Sequence, residues 1–312
     1  MTGLALLLLC LWIPRTEEGS PLVVPEPEVA PEGTRSGIPV LMYHHVSDPV
    51  NGYYGVSTSR FLSDLAALDA AGFYLTTPED LENGLMQVPS GRRPVMITLD
   101  DGWQDNFDII GTSVDPDCAF ALLEAFCDDH PDFGRGATFF VSWDKIPFGQ
   151  VDRVGEKLNM LLDAGHAIGN HSLRHASFGR LPRAEWEEAV IGAMERFHRH
   201  LGMRIGEVAV LSYPGGHFQR DPGAEELMAS FTFDGAQAVR MGFLADGGVS
   251  SMATLLDDPD GWYRIGRIDM SLYSVSRLLG WRNLMEADEA REDLHDPLPW
   301  RMVPAALPRH LP

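Results

Sequence analysis

The feature of this sequence that most constrains its fold is a serial alternation of short apolar runs with amphipathic helical patterns from Ile38 onward. The apolar runs are rich in Val, Ile and Phe with little polar alternation, which is typical of strands buried on both faces of a parallel sheet. These runs are 39–43, 73–77, 95–99, 137–142, 167–169, 208–213, 236–239 and 263–268. Serial β-α alternation predicts an α/β fold, and eight runs favour a barrel, with a doubly wound open sheet as the alternative.

Amphipathic helical patterns lie between the apolar runs. In the first of them Phe61, Leu65 and Leu68 mark one face at helical spacing. The helix candidates are 59–71, 78–86, 119–128, 153–164, 183–201, 222–230 and 270–279. The stretch 107–135 is longer than a usual β-α connection, so we interpret it as an insertion that carries a helix.

The two ends of the chain differ in composition from its centre. Residues 4–13 (LALLLLCLWI) form an apolar run about as long as the h-region of a signal peptide, and shorter than the ~20 residues of a membrane span. Residues 14–37 are dense in Pro, Glu and Gly, which predicts a linker. We therefore expect a leader and linker over 1–37, a folded domain over 38–285 and a tail over 286–312. The leader predicts a secreted, periplasmic or cell-envelope location without a stable membrane span, and an apolar extension of a cytoplasmic protein is the alternative.

Charge and cysteine content narrow the class of protein. The net charge of −21 predicts a surface that repels nucleic acid and anionic membranes and favours neutral or cationic partners. Solubility or adaptation to salt would explain the same charge. Cys118 and Cys127 lie nine positions apart and outside any CxxC motif, so a surface-loop disulfide and two buried free thiols are both open.

The first chemical motif ends a predicted strand. Residues 95–102 read VMITLDDG, an apolar run followed by the adjacent carboxylates Asp100 and Asp101. Ligands bind at the C-terminal ends of parallel strands because the loops converge there. Adjacent side chains on an extended backbone point apart, so the two carboxylates suit separate roles, a metal ligand and a base. A polar strand end whose Asp caps the next turn is the alternative.

Two further motifs follow other predicted strands. His171 and His175, in AIGNHSLRH, are four positions apart, a spacing that places both imidazoles on one side of a turn, where they can bind one metal ion. Two imidazoles and one carboxylate leave coordination positions open for water and substrate, as in catalytic sites. In SYPGG, residues 212–216, Pro214 and two glycines make a turn whose exposed N–H groups can serve as an oxyanion hole.

Together these motifs resemble a known family. TLDDG, HSLRH and YPGG stand in the order of the NodB-homology polysaccharide deacetylases (carbohydrate esterase family 4), and PVLMYHHV, GATFFVS and GHAIGNHSLRH agree with it. The opening phrase is especially similar to the branch that contains poly-N-acetylglucosamine deacetylases. The resemblance covers roughly residues 38–279. It implies a distorted (β/α) barrel, with 38–285 as the catalytic domain, and a bound divalent metal, commonly Zn²⁺, with Co²⁺, Ni²⁺ and Mn²⁺ as alternatives.

The resemblance also assigns roles to individual residues. Asp100 corresponds to the catalytic base and Asp101 to the carboxylate ligand of the metal. His171 and His175 correspond to its imidazole ligands. The backbone N–H of Gly215 would face the oxyanion.

Substrate contacts are expected from the third motif and from tryptophans. Tyr213 and Pro214 are the candidates in the third motif. Trp103, Trp143 and Trp262 follow strand ends or turns, where exposed aromatic rings could stack on sugar rings. Of these we favour Trp143, which directly follows the GATFFVS strand.

The chain departs from the family pattern in two places. Ser212 stands where many members have Arg, so we expect a later arginine, Arg267 or Arg264, to orient the base. The late hydrophobic-x-x-His motif that supplies the general acid is not recognisable. The candidates for the acid are His44, His45, His217 and His295. We take His44 and Arg267 as the candidates for the acid and the orienting group.

The predicted function is metal-dependent removal of N-acetyl groups from an N-acetylglucosamine-containing polysaccharide or oligosaccharide. An O-acetyl esterase acting on xylan or a similar ester would use the same machinery, with a better leaving group. A non-catalytic sugar-binding module with a vestigial site is a third interpretation, against which the intact Asp-Asp and His-His set argues. A phosphoesterase is disfavoured because we find no phosphate-cradling Gly-rich loop or basic cluster near the motifs. The oligomeric state is not determined by these patterns.

Overall fold

A curled parallel sheet with helices around it forms the centre of the protein. The computed structural model describes residues 37–219, 221–250, 255 and 258–280. The strands are β1 (Val40–Tyr43), β2 (His45–Val46), β3 (Gly55–Val56), β4 (Phe73–Leu75), β5 (Arg93–Leu99), β6 (Ile109–Ile110), β7 (Ser113–Val114), β8 (Thr138–Val141), β9 (Ala167–Asn170), β10 (Val210–Ser212), β11 (Thr232–Phe233), β12 (Ala236–Gln237), β13 (Met241–Phe243) and β14 (Ile268–Asp269). The main sheet runs in the order β13-β10-β9-β8-β5-β1-β14, and β4 pairs with the first half of β5.

The helices lie between these strands. The α-helices are α1 (Thr58–Ala70), α2 (Pro78–Glu82), α3 (Ala119–Asp129), α4 (Val154–Asp163), α5 (Trp186–Leu201), α6 (Ala224–Ser230) and α7 (Val275–Leu278). Short 3-10 helices occupy Gln104–Asn106, Pro131–Phe133, Pro147–Gly149, Val151–Arg153, Arg183–Glu185, Gly202–Glu207, Pro214–Gly216 and Pro259–Tyr263. In α1 the predicted apolar face of Phe61, Leu65 and Leu68 is buried. The helical periodicity therefore predicted correctly which side of this helix meets the sheet.

One short segment joins the two ends of the curled sheet. The Ile265 N–H donates to the Gly242 carbonyl oxygen on β13, and the Leu244 N–H donates to the Ile265 carbonyl oxygen. Three residues later, Ile268 of β14 pairs with Leu41 of β1 at the opposite end. The segment 265–269 thus contacts both edges. The predicted distorted (β/α) barrel is confirmed, and the open doubly wound alternative is not.

The insertion predicted over 107–135 carries a hairpin, β6 and β7, followed by the expected helix α3. Cys118 and Cys127 lie here as buried free thiols, which decides against a disulfide between them. Burial raises the pKa of the Cys127 thiol to about 12. Both side chains therefore act as small apolar core residues.

Two predictions near the C-terminal end of the barrel were wrong. The run 236–239 was expected in the sheet, but β12 instead pairs antiparallel with β11, and β13 takes the sheet position. Asp234 and Gly235 have φ angles of 50° and 78°. These left-handed angles favour a tight hairpin that a purely apolar pattern does not reveal.

The run 263–268 was also only partly a strand. A Cβ on Gly266 would lie 2.8 Å from the backbone of Gly248, so the chains cross too closely there for a regular ladder. The predicted helix 270–279 is likewise shortened to α7.

The predicted leader, linker and tail fall outside the described residues and stay predictions. Within the described part of the chain, no helix combines the length and apolar character needed to cross a bilayer.

Candidate active site

The predicted site residues follow four parallel strands of the main sheet. His44 follows β1, Asp100 and Asp101 follow β5, His171 follows β9, and Pro214 lies just beyond β10. Because the C-terminal ends of these parallel strands lie at one rim, residues far apart in sequence come together.

Asp101, His171 and His175 form a compact set of ligand atoms. Oδ1 of Asp101 lies 3.3 Å from Nε2 of His171 and 3.0 Å from Nε2 of His175. Ligand atoms about 3.3 Å apart are what a tetrahedral ion with bonds near 2.0–2.1 Å requires. The buried Oδ1 accepts no hydrogen bond of ordinary geometry from the described residues. The orphaned oxygen and the donor set of two imidazoles and a carboxylate fit a divalent metal ion.

Outer contacts orient these ligands. Nδ1 of His171 lies 2.9 Å from the Ser212 carbonyl oxygen. Since a carbonyl only accepts, Nδ1 must carry the proton, and Nε2 is free to bind a cation. The indole N–H of Trp103 donates to Oδ2 of Asp101 at 2.9 Å, which leaves Oδ1 facing the imidazoles. The His175 side chain is 38% exposed, so the set opens to solvent on its side.

The backbone at two of the ligands is strained. Asp101 has φ 75° and His175 has φ 52°, in the left-handed region that non-glycine residues rarely adopt. Each such residue costs roughly 1–3 kcal/mol and persists where the surrounding fold holds it. At Asp101 the next residue is held from outside, because the Phe148 N–H donates to the Gly102 carbonyl oxygen at 2.7 Å.

Asp100 is held by an arginine fork. Nη1 of Arg267 donates to Oδ1 at 2.7 Å, and Nη2 donates to Oδ2 at 2.8 Å. The Ser212 hydroxyl donates to Oδ2 at 3.1 Å and accepts from Nη2 of Arg267 at 2.7 Å. Arg264 instead pairs with Glu225. Of the two predicted arginines, the structure places Arg267 against the candidate base.

The electrostatics keep both carboxylates ionised. Burial raises the pKa of Asp100, but Arg267 and then His171 lower it, and the net pKa lies below its ordinary value. Burial also raises the pKa of Asp101, whereas the imidazoles of His171 and His175, 3.3 and 3.0 Å from Oδ1, hold that pKa far below the usual range. An ionised Asp101 can bind a cation, and an ionised Asp100 can accept a proton.

His44 and His45 lie in different surroundings. His44 stacks on Tyr54 with 5.1 Å between ring centroids, and its buried Nδ1 has no hydrogen-bond partner among the described residues. Burial lowers the pKa of His44, while the charges of Asp100 and Asp101 raise it by less. His45 is instead paired with Asp105 at 2.7 Å. Of these two candidate acids, His45 is the one paired with a carboxylate, and His44 is the one beside Asp100 and Asp101.

The part of the chain that carries the motifs matches a known family model. Residues 87–233 match the family model described as polysaccharide deacetylase. The match spans just under half of the chain and includes Asp100, Asp101, His171 and His175. Together with the solved structures below, it supports a deacetylase of the hydrolase class. No curated protein matches the chain.

Solved structures share the fold of this deacetylase. The Streptococcus pyogenes deacetylase PplD is 18% identical, with TM-score 0.57, over 79% of this chain and 98% of that one. IcaB from Ammonifex degensii is 20% identical, with TM-score 0.58, over 80% and 97%. A de-N-acetylase from Aggregatibacter actinomycetemcomitans is 14% identical, with TM-score 0.52, over 78% and 98%. At these identities the likeness shows a common fold.

Of two side chains predicted to bind substrate in the deacetylase, Tyr213 lies in its core and Trp143 is partly buried against it. Tyr213 is fully buried, and its hydroxyl donates to the Tyr263 carbonyl oxygen at 3.0 Å. Because neighbouring side chains alternate on extended backbone, Ser212 facing Asp100 sends Tyr213 to the opposite side. Trp143 packs against α5, with its ring stacked on His200. The placement of these two side chains gives no support to a role in binding sugar.

The third motif presents backbone rather than side chains. Pro214 is buried, whereas Gly215 is exposed with φ 74°. A Cβ on Gly216 would lie 2.4 Å from the Cβ of Ala245, so only glycine fits there. The turn therefore brings the Gly215 backbone to the surface at the end of β10, which agrees with the expected role of an N–H donor.

Two functional contacts were missed by sequence reasoning. Trp103 was considered only for sugar stacking, but it orients Asp101. Ser212 was treated only as a departure from the family, but it contacts both Asp100 and Arg267. The sequence signal for this contact was the small size of the Ser212 side chain, because a serine leaves room for an arginine from a later segment.

Three further candidates remain, Trp262, His217 and His295. Trp262 is buried, and His217 is exposed just beyond the third motif. His295 lies outside the described residues.

Proposed function

We propose that this deacetylase is a metal-dependent hydrolase that removes N-acetyl groups from an N-acetylglucosamine-containing polysaccharide or oligosaccharide. The observation that carries the proposal is the set of Asp101, His171 and His175 beside the arginine-held carboxylate of Asp100. The structurally similar de-N-acetylase supports a nitrogen-linked acetyl group as the target.

Asp101, His171 and His175 would hold a divalent ion, Zn²⁺ in our proposal, with Co²⁺, Ni²⁺ or Mn²⁺ as alternatives. When bound, the ion supplies Lewis acidity to the attacking water and to the acetyl carbonyl. Asp100, ionised and fixed by Arg267, removes the water proton as the water attacks the amide carbon. The Arg267 fork keeps the carboxylate oriented during this transfer.

The N–H of Gly215 would donate to the developing oxyanion, and one such donor is typically worth about 3 kcal/mol. His44 would then protonate the leaving amine, which yields acetate and a free amino sugar. Its lowered pKa makes protonated His44 a stronger acid but reduces its protonated fraction at neutral pH.

The test is acetate release from chitin oligomers, poly-N-acetylglucosamine and acetylated xylan. Metal-stripped protein is assayed with Zn²⁺, Co²⁺ or Ni²⁺ added back, beside Asp101→Ala and His171→Ala. His130→Ala serves as the matched control, because His130 stacks on Phe126 at the end of α3 and contacts none of the proposed ligands. We expect metal-dependent release from the N-acetylated substrates that only the two ligand variants lose. Tight metal binding without release from any substrate would instead support a vestigial binding module.

A second candidate function is O-acetyl ester hydrolysis. The lowered pKa of His44 favours it, because an alkoxide leaving group needs less help from an acid than an amine does. Faster release from acetylated xylan than from either N-acetylated polymer would support this alternative.

We also propose an acetylated carbohydrate as the partner, and a secreted, periplasmic or cell-envelope location. The apolar stretch 4–13 supports the location. Fractionation of cells expressing the full chain, with antibody detection, tests it.

A further inference from the structure

An exposed pair of tyrosines stands on the loop between β2 and β3. Tyr53 is 80% exposed and Tyr54 is 49% exposed. Their rings meet edge to face, with centroids 5.1 Å apart and an interplanar angle of 89°. Aromatic surface left in water costs free energy that a ligand covering it would recover.

The tyrosine pair is linked directly to the candidate active site. Tyr54 stacks on His44 at an interplanar angle of 28°. His44 in turn directly follows Tyr43, whose carbonyl oxygen accepts from the Asp100 N–H at 2.9 Å. The rings of His44, Tyr54 and Tyr53 therefore form a continuous row that leads outward from the reacting position.

The loop that carries the pair is tied across its base by backbone and side-chain hydrogen bonds. The Ser47 N–H donates to the Val56 carbonyl oxygen, and β2 pairs with β3 through His45 and Gly55. The Asn51 N–H donates to the Ser47 hydroxyl at 3.2 Å. A Cβ on Gly55 would lie 2.2 Å from the Asn51 carbonyl oxygen, so the loop closes on itself tightly. A loop backbone tied in this way loses little conformational freedom when a ligand binds.

We propose that Tyr53 and Tyr54 form a saccharide-binding subsite, which takes a pyranose ring flanking the acetylated sugar that is hydrolysed. The proposal rests on the proposed function, since it needs a substrate that continues beyond the reacting unit. One face of a pyranose ring carries C–H groups that can stack on an aromatic ring, while its hydroxyls stay in water or bond to the phenol oxygens. The net charge of −21 disfavours an anionic membrane as the occupant.

The experiment measures binding without turnover. Asp100→Asn protein loaded with Zn²⁺ is titrated calorimetrically with the N-acetylglucosamine pentamer and with the single sugar. We expect the added Tyr53→Ala change to weaken pentamer binding about five- to tenfold and to leave binding of the single sugar unchanged. Tyr53→Phe should restore most of the pentamer affinity. Tyr53 is preferred to Tyr54 because removing Tyr54 would also release His44.

Met203→Ala is the matched control. Met203 is 93% exposed and precedes the start of β10, whereas the site residue Ser212 lies at the end of β10. Loss of the Met203 side chain should therefore not change pentamer binding. Two outcomes would overturn the subsite. One is an unchanged pentamer affinity both in Tyr53→Ala and in the double variant Tyr53→Ala, Tyr54→Ala. The other is the absence of pentamer binding to the Asp100→Asn protein. Binding to anionic lipid vesicles that Tyr53→Ala abolishes, with no effect on the pentamer, would assign the pair to a membrane instead. Pentamer binding that depends on Tyr53, without acetate release by the wild-type protein, would keep the subsite and reject the proposed reaction.

Discussion

Asp100 is a buried carboxylate whose negative charge is balanced mainly by Arg267. Both of its oxygens accept from the same guanidinium, and Arg267 is itself only 1% exposed. A buried charge of this kind is tolerated only when its partner and its hydrogen bonds are complete. The proposed role of Asp100 as a base therefore depends on its contacts with Arg267.

Changing Asp100 to Asn should separate catalysis from metal binding. The amide cannot take a proton from water, whereas the set of Asp101, His171 and His175 is unchanged. We expect turnover to fall at least about hundredfold while the bound metal stays near the wild-type amount. Acetate release and elemental analysis of the same samples measure the two quantities. Retained turnover would exclude Asp100 as the base.

Changing Arg267 to Lys should impair catalysis with metal retained. Lysine keeps the charge but cannot bind both carboxylate oxygens and the Ser212 hydroxyl as a fork. We expect kcat to fall about tenfold or more, with metal content unchanged. Arg264→Lys is the matched control, because Arg264 pairs with Glu225 and not with Asp100. Equal losses of kcat in the two variants would contradict the assignment of Arg267.

At the scale of elements, strand β9, which ends directly before His171, packs closely against a side chain of its neighbour β8. A Cβ on Gly169 would lie 2.2 Å from the ring of Phe140, a contact that real structures do not show. Glycine at position 169 leaves room for the Phe140 ring to lie over the backbone of β9.

Gly169→Ala should therefore destabilise the sheet by about 1–3 kcal/mol through overpacking. Gly206→Ala is a suitable control, since nothing lies near its added Cβ. Denaturant unfolding of both variants measures the effect. Equal unfolding free energies would show that the Phe140 ring moves aside without cost.

Helix α4 carries a buried lysine that holds two other segments. Nζ of Lys157 donates to the carbonyl oxygens of Phe107 and Phe148 at 2.6 and 2.8 Å. Phe148 is also the residue whose N–H contacts Gly102 beside the site. Burial lowers the pKa of Lys157 to about 8 from an ordinary value of 10.5.

This pKa predicts how stability depends on pH. Between about pH 8 and 10.5 the unfolded chain binds a proton that folded Lys157 has lost, so raising the pH favours the folded state. We expect the wild-type protein to gain on the order of 1–2 kcal/mol relative to Lys157→Met across this window, with some screening by solvent. Unfolding curves of both proteins from pH 7 to pH 10 measure the difference. A difference that falls as the pH rises would contradict the prediction.

At the scale of the whole molecule, one carboxylate ties α1 to the segment after the barrel closure. Asp64 accepts from the Tyr43 hydroxyl, from Nε of Arg60 and from the Val275 N–H. Through Asp64 helix α1 contacts α7, which follows the closing segment that carries Arg267. The closure of the sheet is thus supported from outside the sheet.

Asp64→Ala should lower the free energy of unfolding by about 3–5 kcal/mol, because it leaves buried donors and Arg60 without their acceptor. Asp69→Ala is the matched control, since Asp69 pairs with Arg92 nearer the surface and should cost under about 1 kcal/mol. Thermal and denaturant unfolding compare them. Similar losses in the two variants would show that Asp64 does not tie these elements together.

The fold class and the approximate position of the site follow from local patterns. Apolar runs predicted most of the strands, helical spacing predicted the buried face of α1, and motifs at strand ends predicted the rim that gathers Asp100, Asp101 and His171. These inferences succeed because strand and helix periodicity are properties of consecutive residues, and because parallel strands bring their C-terminal ends together whatever the loops do.

Only the tertiary structure decided which of several similar residues meets the site. Arg267 rather than Arg264 faces Asp100, because the closing segment contacts both ends of the sheet and directs that one side chain inward. Tyr213 lies in the core, and the exposed tyrosines Tyr53 and Tyr54 lie beside His44. No local periodicity encodes these placements, since they depend on how far the sheet curls and on how each loop crosses its neighbours.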